Sequence, residues 1–177
     1  MARYAVLLRG INLGKAKRVG MADLRKLLTD EGYGNVATLL QSGNVVLDAE
    51  QDAGELSPAI EQAIEKRFGF AVDVILRSRE QLARVVATNP LREVADDGSK
   101  YVVAFLAEPP TSPVDDALKG VDLGGDRWAV DGTEMYIWCP NGLRDSPLMT
   151  ALGKANSGPS ATVRNWNTVE KLHAMME

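Results

Sequence analysis

The strongest constraint on this chain is that its apolar residues run through one order of periods twice. Ala5 to Leu8 is a short apolar run that reads as a buried strand. Leu24, Leu27 and Leu28 follow at helical spacing with Gly32 as a C-cap, which predicts a helix over 21–31. Val36 to Gln41 predicts a strand, Ser42-Gly43 turns the chain, and Val45 to Leu47 returns. Leu56, Ile60, Ile64 and Phe68 then recur about every four residues and predict a helix ended by Gly69. Phe70 to Arg77 predicts a fourth strand. Beyond it, Ser78 and Gln81 have capping-box spacing, Leu82, Val85 and Val86 form an apolar face, and Asn89-Pro90 stops the helix.

Residues 91–100 are polar and acidic, with Glu93, Asp96 and Asp97, and read as a linker. The order then recurs. Tyr101 to Leu106 predicts a strand, and Ser112-Pro113 opens a helix with Ser as N-cap and Pro at the first helical position. Trp128 to Val130 and Met135 to Cys139 predict strands joined at Asp131-Gly132. Ser146-Pro147 opens the next helix, as Ser57-Pro58 would in the first half. Ala161 to Arg164 predicts a short strand, and a last helix runs to the end. Its caps are Asn165 or Asn167, the latter in box spacing with Glu170, and Trp166, Val169, Leu172 and Met176 form its buried stripe.

Strand, helix, strand, strand, helix, strand is the order of the split β-α-β, or ferredoxin-like, unit. The expected fold is therefore α+β, with two tandem ferredoxin-like (β-α-β-β-α-β) units and an extra helix after each. The first half spans 1–90, the linker 91–100 and the second half 101–177, unless the halves merge into one compact duplicated domain. A chain of 177 residues buries roughly 70% of its unfolded surface and needs no staple.

What is scarce narrows the chemistry. Cys139 is the single cysteine, so an internal disulfide and a CxxC metal or redox motif are excluded. His173 is the single histidine, and no set of His and Cys ligands for zinc or non-haem iron exists. No metal site and no cofactor is implied. A Ser-His-Asp triad would have to pass through His173, which reads as a partly exposed helix residue. The chain has no run of about 18 apolar residues and no N-terminal signal pattern. With the lone cysteine, that sets the expectation of a cytoplasmic protein without a membrane partner.

Charge is unevenly spread. Residues 1–26 carry seven basic side chains (Arg3, Arg9, Lys15, Lys17, Arg18, Arg25 and Lys26) against Asp23, a balance of +6. The whole chain is −4, so the remainder is −10. Such asymmetry attracts an anion locally, whereas the overall balance disfavours nucleic acid. In the split β-α-β topology the carboxyl ends of strands one and two share an edge. There Arg9-Gly10-Ile11-Asn12 and Gln41-Ser42-Gly43-Asn44 become neighbours. Glycines let backbone N–H groups approach a ligand, and the helix starting near Met21 turns its positive end to the same edge. A small-anion site built on Arg9, Asn12, Lys15, Ser42 and Asn44 follows. The competing reading is that Gly10, Gly14 and Gly43 serve turns while Asn12 and Asn44 satisfy local backbone.

Two nucleotide readings fail on the residues. Gly10 to Ala16 is one residue short of a phosphate-binding P-loop, and Ala16 lacks the hydroxyl that would hold magnesium. In the second half Tyr101, Phe105, Tyr136 and Trp138 suggest the base-stacking face of an RNA-recognition module. Yet residues 101–140 hold only Lys119 and Arg127 against seven acids, so packing is the better account.

LLRGIN, MADLRKLL, LLQSGNVVL, NPL and RNWNTVEKL, in this order, resemble the bacterial domain-of-unknown-function (DUF) family 1697. The resemblance implies a fold and no activity. It marks Arg9, Gly10, Asn12, Gln41, Ser42, Gly43, Asn44, Arg164, Asn165, Trp166 and Thr168. Lys15 stands where the family loop commonly has a second glycine, and Gly20 where its first helix is often entered through proline. Arg164, at a strand end beside a helix start, calls for an acid or an anion. It joins the Arg9 loop only if the halves pack head to tail. The leading expectation is a binding protein for a small anionic or phosphorylated ligand at Arg9, Gly10, Asn12, Lys15, Gln41, Ser42, Gly43, Asn44, Arg164 and Asn165. The rivals are a metal-independent enzyme, with Lys15 or Asp23 as base, and an interaction or scaffold module that forms a homodimer.

Overall fold

A computed structural model describes residues 1–110, 112–155 and 159–177, without the side chain of residue 155. The fold is α+β: two four-stranded antiparallel sheets and, among the described residues, six helices. The chain divides into two compact units. One comprises Met1–Val86 with Lys171–Glu177, and the other Ala87–Glu170.

In the first unit β1 (Ala2–Leu8), α1 (Met21–Asp30), β2 (Gly34–Leu39), β3 (Asn44–Ala49), α2 (Ala53–Phe68) and β4 (Val74–Ser78) follow the expected order. The sheet order is β2-β3-β1-β4. β1 lies at the centre because both of its neighbours pair with it antiparallel, Leu7 opposite Asn44 on one side and Ile75 on the other. Tyr4, Val6, Leu8, Val45, Leu47, Val74 and Leu76 face Leu24, Leu28, Leu56, Ile60 and Ile64 of the helices in one core. The opposite face is buried too, at Ala5, Leu7, Val46 and Ile75. This explains why β1 reads as continuous apolar sequence rather than an alternating one.

α1 ends in a Schellman turn. Gly32, at φ 99°, donates to Thr29 O, and Tyr33 N donates to Leu28 O. α2 corrects the expectation at Ser57-Pro58. Its N-cap is Asp52, whose Oδ1 accepts from Glu55 N at 3.0 Å, so Ser57 and Pro58 lie inside the helix. A carboxylate at N-cap is as good a cap as a serine, and Pro58, in the second turn, has no N–H to give the carbonyl of Gly54. β4 is shorter than expected because the chain joins the ladder only at Val74.

The second unit repeats the order. β5 (Tyr101–Leu106), α4 (Val114–Ala117), β6 (Arg127–Asp131), β7 (Glu134–Trp138), α5 (Pro147–Ala155) and β8 (Ala161–Asn165) form a sheet β6-β7-β5-β8. The β6–β7 hairpin turns at Gly132-Thr133, one residue later than expected, with Asp131 paired to Glu134. α4 is a single turn whose N-cap position is Pro113, so Ser112 does not cap it. The capping box after β4 forms as expected and opens α3 (Arg79–Thr88): Ser78 N donates to Gln81 Oε1 and Gln81 N to Ser78 Oγ. α6 (Trp166–Met175) is capped by Asn165, whose Oδ1 accepts from Thr168 N at 2.9 Å. Asn167 lies inside it.

Candidate functional site

The RGIN loop and the QSGN turn meet at one edge of the first sheet. Leu8 N donates to Gly43 O at 2.9 Å, immediately before the chain leaves β1. Gly43, at φ 90°, is required twice over. A Cβ there would stand 2.8 Å from both Leu8 Cβ and Ile11 Cδ1, and the left-handed backbone excludes ordinary side chains.

Asn12 joins the two loops. Its Oδ1 accepts from Val19 N at 2.8 Å, while Nδ2 donates to Val19 O at 2.9 Å and to Gln41 O at 2.7 Å. Its own N–H closes the loop on Lys17 O at 3.1 Å. Asn12 stands at φ 56°, a conformation asparagine tolerates better than most residues. Ile11 and Val19 are buried on either side. Residues 13–18 therefore project as a short loop fastened at both ends, in the manner of a compact surface loop. Asn44 does similar work from inside β3. It is fully buried, and Nδ2 donates to Leu39 O and Ser42 Oγ.

What the loop shows to solvent is charge. Lys15, Lys17 and Arg18 are exposed, as is Arg9 at the loop's start. Among the described residues the Lys15 and Lys17 side chains have no hydrogen-bond or ion-pair partner. Arg18 leans on the loop, donating to Gly14 O at 3.3 Å and more distantly to Asn12 O. Arg9 pairs loosely with Asp73 at 3.8 Å across an exposed gap, a contact worth little in water. Asp23 lies at the start of α1 beside Gly20, which makes no side-chain cap. That carboxylate partly meets the positive end of α1. Four cations against Asp23 and Asp73 leave the edge at +2.

Sequence reasoning did not single out Asp73 or Gln41 O, although β4 begins at this edge by topology. Lys17 and Arg18 stood in the basic run without being assigned to the site. Gly10 is exposed at φ 71°, and Gln41 and Ser42 are exposed as well.

The model of the family described as protein of unknown function (DUF1697) matches residues 1–136. The chain belongs to this family. No curated protein matches it. Among solved structures it is similar to conserved bacterial protein SP0830 from Streptococcus pneumoniae, at 24% identity and a TM-score of 0.80, over 99% of each chain. At that identity the likeness speaks to fold alone. The DUF1697 match includes RGIN and QSGN and ends before the RNWNT block.

That block lies with the second unit, where Arg164 and Asn165 are engaged locally. Arg164 is buried on β8 opposite Val103, and Nη1 donates to Thr162 Oγ1 at 2.6 Å and Val163 O at 3.0 Å. Burial lowers its pKa to about 10. Asn165 is the cap of α6. The aromatic face is interior: Tyr101, Phe105, Tyr136 and Trp138 are buried, and Tyr101 stacks on Trp166 at 5.0 Å. Burial raises the Tyr101 phenol to about 12, and its hydroxyl donates to Asn89 Oδ1.

A second polar cluster surrounds the start of α5. Buried Asp126 accepts from Ser146 Oγ at 2.7 Å and from Leu148 N at 3.3 Å. Ser146 Oγ in turn accepts from Met149 N and from the Cys139 thiol. The cluster caps the first N–H groups of α5, and burial pushes the Cys139 thiol up, away from the reactive thiolate. His173 sits partly exposed on α6, 4.0 Å from Glu177. Among the described residues no group of three His, Cys, Asp or Glu side chains comes together to hold a metal. No described helix is long and apolar enough to cross a membrane.

Proposed function

We propose that this DUF1697 protein binds an anionic or phosphorylated small molecule at the edge formed by the RGIN loop and the QSGN turn. One observation carries the reading: a loop fastened by three side-chain hydrogen bonds from Asn12 holds Lys15 and Lys17 outward without partners. Fixing the backbone beforehand lowers the ordering cost of binding. Lys15, Lys17 and Arg18 supply charge, and Arg9 is released from its loose contact with Asp73. Asn12, Gly43 and Asn44 are positioning residues in this scheme, while Gln41 and Ser42 supply polar side chains at the rim. We also propose that each unit is of the ferredoxin-like type, supported by the sheet orders β2-β3-β1-β4 and β6-β7-β5-β8 with every neighbouring pair antiparallel.

The test is thermal unfolding against a panel of nucleotides, sugar phosphates and dicarboxylates. A ligand at 100 times its Kd adds about 2.7 kcal/mol, a rise of roughly 5–10 °C for a chain of this size. The rise should vanish in a Lys15→Gln/Lys17→Gln double variant and shrink in Arg9→Ala. A panel without any effect, or an effect that survives the double variant, refutes the edge site.

A further inference from the structure

We infer that the same anion-binding edge also takes a segment of a partner protein: a short acidic segment carrying an aliphatic side chain between its carboxylates. The inference rests on the anion reading above and adds the apolar half of the site. Leu13, in the middle of the fastened loop, is 85% exposed, and Leu40, in the facing turn, is 53% exposed. Leu13 follows Asn12 and Leu40 precedes Gln41, and the bond from Asn12 Nδ2 to Gln41 O joins the two loops that carry them. A small anion would leave these two side chains in water.

The backbone is shaped to hold them there. Among the described residues five non-glycine residues have positive φ, and three are asparagines. The other two are Lys17 at φ 52° and Leu40 at φ 61°, and both lie on this edge. Neither side chain gains burial in return for that conformation. Strain kept at solvent-facing positions points to a partner that uses them.

Charge selects the partner's class. Arg9 lies four residues before Leu13, and Lys15, Lys17 and Arg18 lie within five residues after it, so an aliphatic anchor between carboxylates is the complement. A chain of net charge −4 has little overall attraction for an extended anionic surface such as a bilayer or a nucleic-acid strand. A short segment touches the edge alone.

The experiment is fluorescence anisotropy of the whole protein with short labelled peptides. One panel alternates glutamate with leucine, a second replaces glutamate by glutamine, and a third contains glutamate without leucine. Phosphatidylglycerol vesicles form a separate arm, read by sedimentation. The mixed panel should bind. Leu13→Ser with Leu40→Asn should weaken it about tenfold, the weight of one leucine moved out of water. Both substitutions are at exposed positions, and asparagine tolerates the left-handed backbone of Leu40. Lys15→Gln/Lys17→Gln should weaken it about fivefold, and so should high salt. Equal binding of the leucine-free panel, or indifference to the leucine substitutions, overturns the inference and leaves the anion reading standing. Binding of vesicles with no peptide bound overturns it in favour of a membrane surface. Equal binding of the glutamine panel, or no binding of the mixed panel, overturns the inference, and the small-anion reading then stands or falls on its own thermal panel.

Discussion

Replacing Asn12 by alanine is the perturbation that the edge should feel most. The side chain supplies one acceptor to Val19 N and donates to Val19 O and Gln41 O, at 2.7–2.9 Å. At a net value near 1 kcal/mol each, their loss costs about 2–3 kcal/mol. Alanine adds about 1 kcal/mol of left-handed strain at φ 56°. Asn12→Ala should therefore destabilise by about 3–4 kcal/mol. Asn12→Gly relieves the strain without restoring the bonds, so it should sit about 1 kcal/mol above alanine. The assay is denaturant unfolding, with amide hydrogen exchange at Val19 as the local readout. Because the chain has two compact units, the loss should appear in the transition of the first. A change within about 0.5 kcal/mol, ordinary for surface substitutions, together with full protection at Val19, would refute the reasoning that Asn12 fastens the loop.

Gly43→Ala should cost about 3 kcal/mol, since its Cβ meets Leu8 Cβ and Ile11 Cδ1 at 2.8 Å and its φ is left-handed; urea unfolding checks it. Asp126→Ala should cost about 2–4 kcal/mol by orphaning Ser146 Oγ and Leu148 N, and Asp126→Asn about half of that, read by calorimetry of the second unit's transition. Asp48 accepts from the Asn35 amide and pairs with Arg3 at 2.9 Å, and these hold its carboxyl below the usual range. A depressed carboxyl contributes stability above its unfolded pKa and loses it as pH falls through the folded one. Stability measured from about pH 5 downward should thus fall less steeply in Asp48→Asn than in the parent.

The order of elements was legible because its signals are local and redundant. Leu24 and Leu28 at helical spacing, Gly32 past a helix end, and Ser78 with Gln81 each specify their element without help from the rest of the chain. Ser57-Pro58 misled because a serine-proline pair also fits within the early turns of a helix, and only the aspartate five residues earlier was free to cap. The meeting of RGIN with QSGN could be read from strand order. The use of Asn12 could not, because its acceptors are backbone carbonyls that sequence does not distinguish. Leu40 gave no signal at all: nothing in LLQSG says that a leucine takes a left-handed backbone in a turn. The loose pairing of Arg9 with Asp73 was hidden for a different reason. It joins residues far apart in sequence that meet only because β4 lies beside β1.

An anion-binding edge at the fastened loop is the central proposal. The most direct measurement is a two-dimensional amide NMR titration with inorganic phosphate and with a sugar phosphate at fixed ionic strength. Saturable shifts confined to Gly10, Lys15, Ala16, Lys17 and Arg18, and lost in Lys15→Gln/Lys17→Gln, are the predicted result. Shifts spread evenly over the surface, or none at this loop, would contradict it.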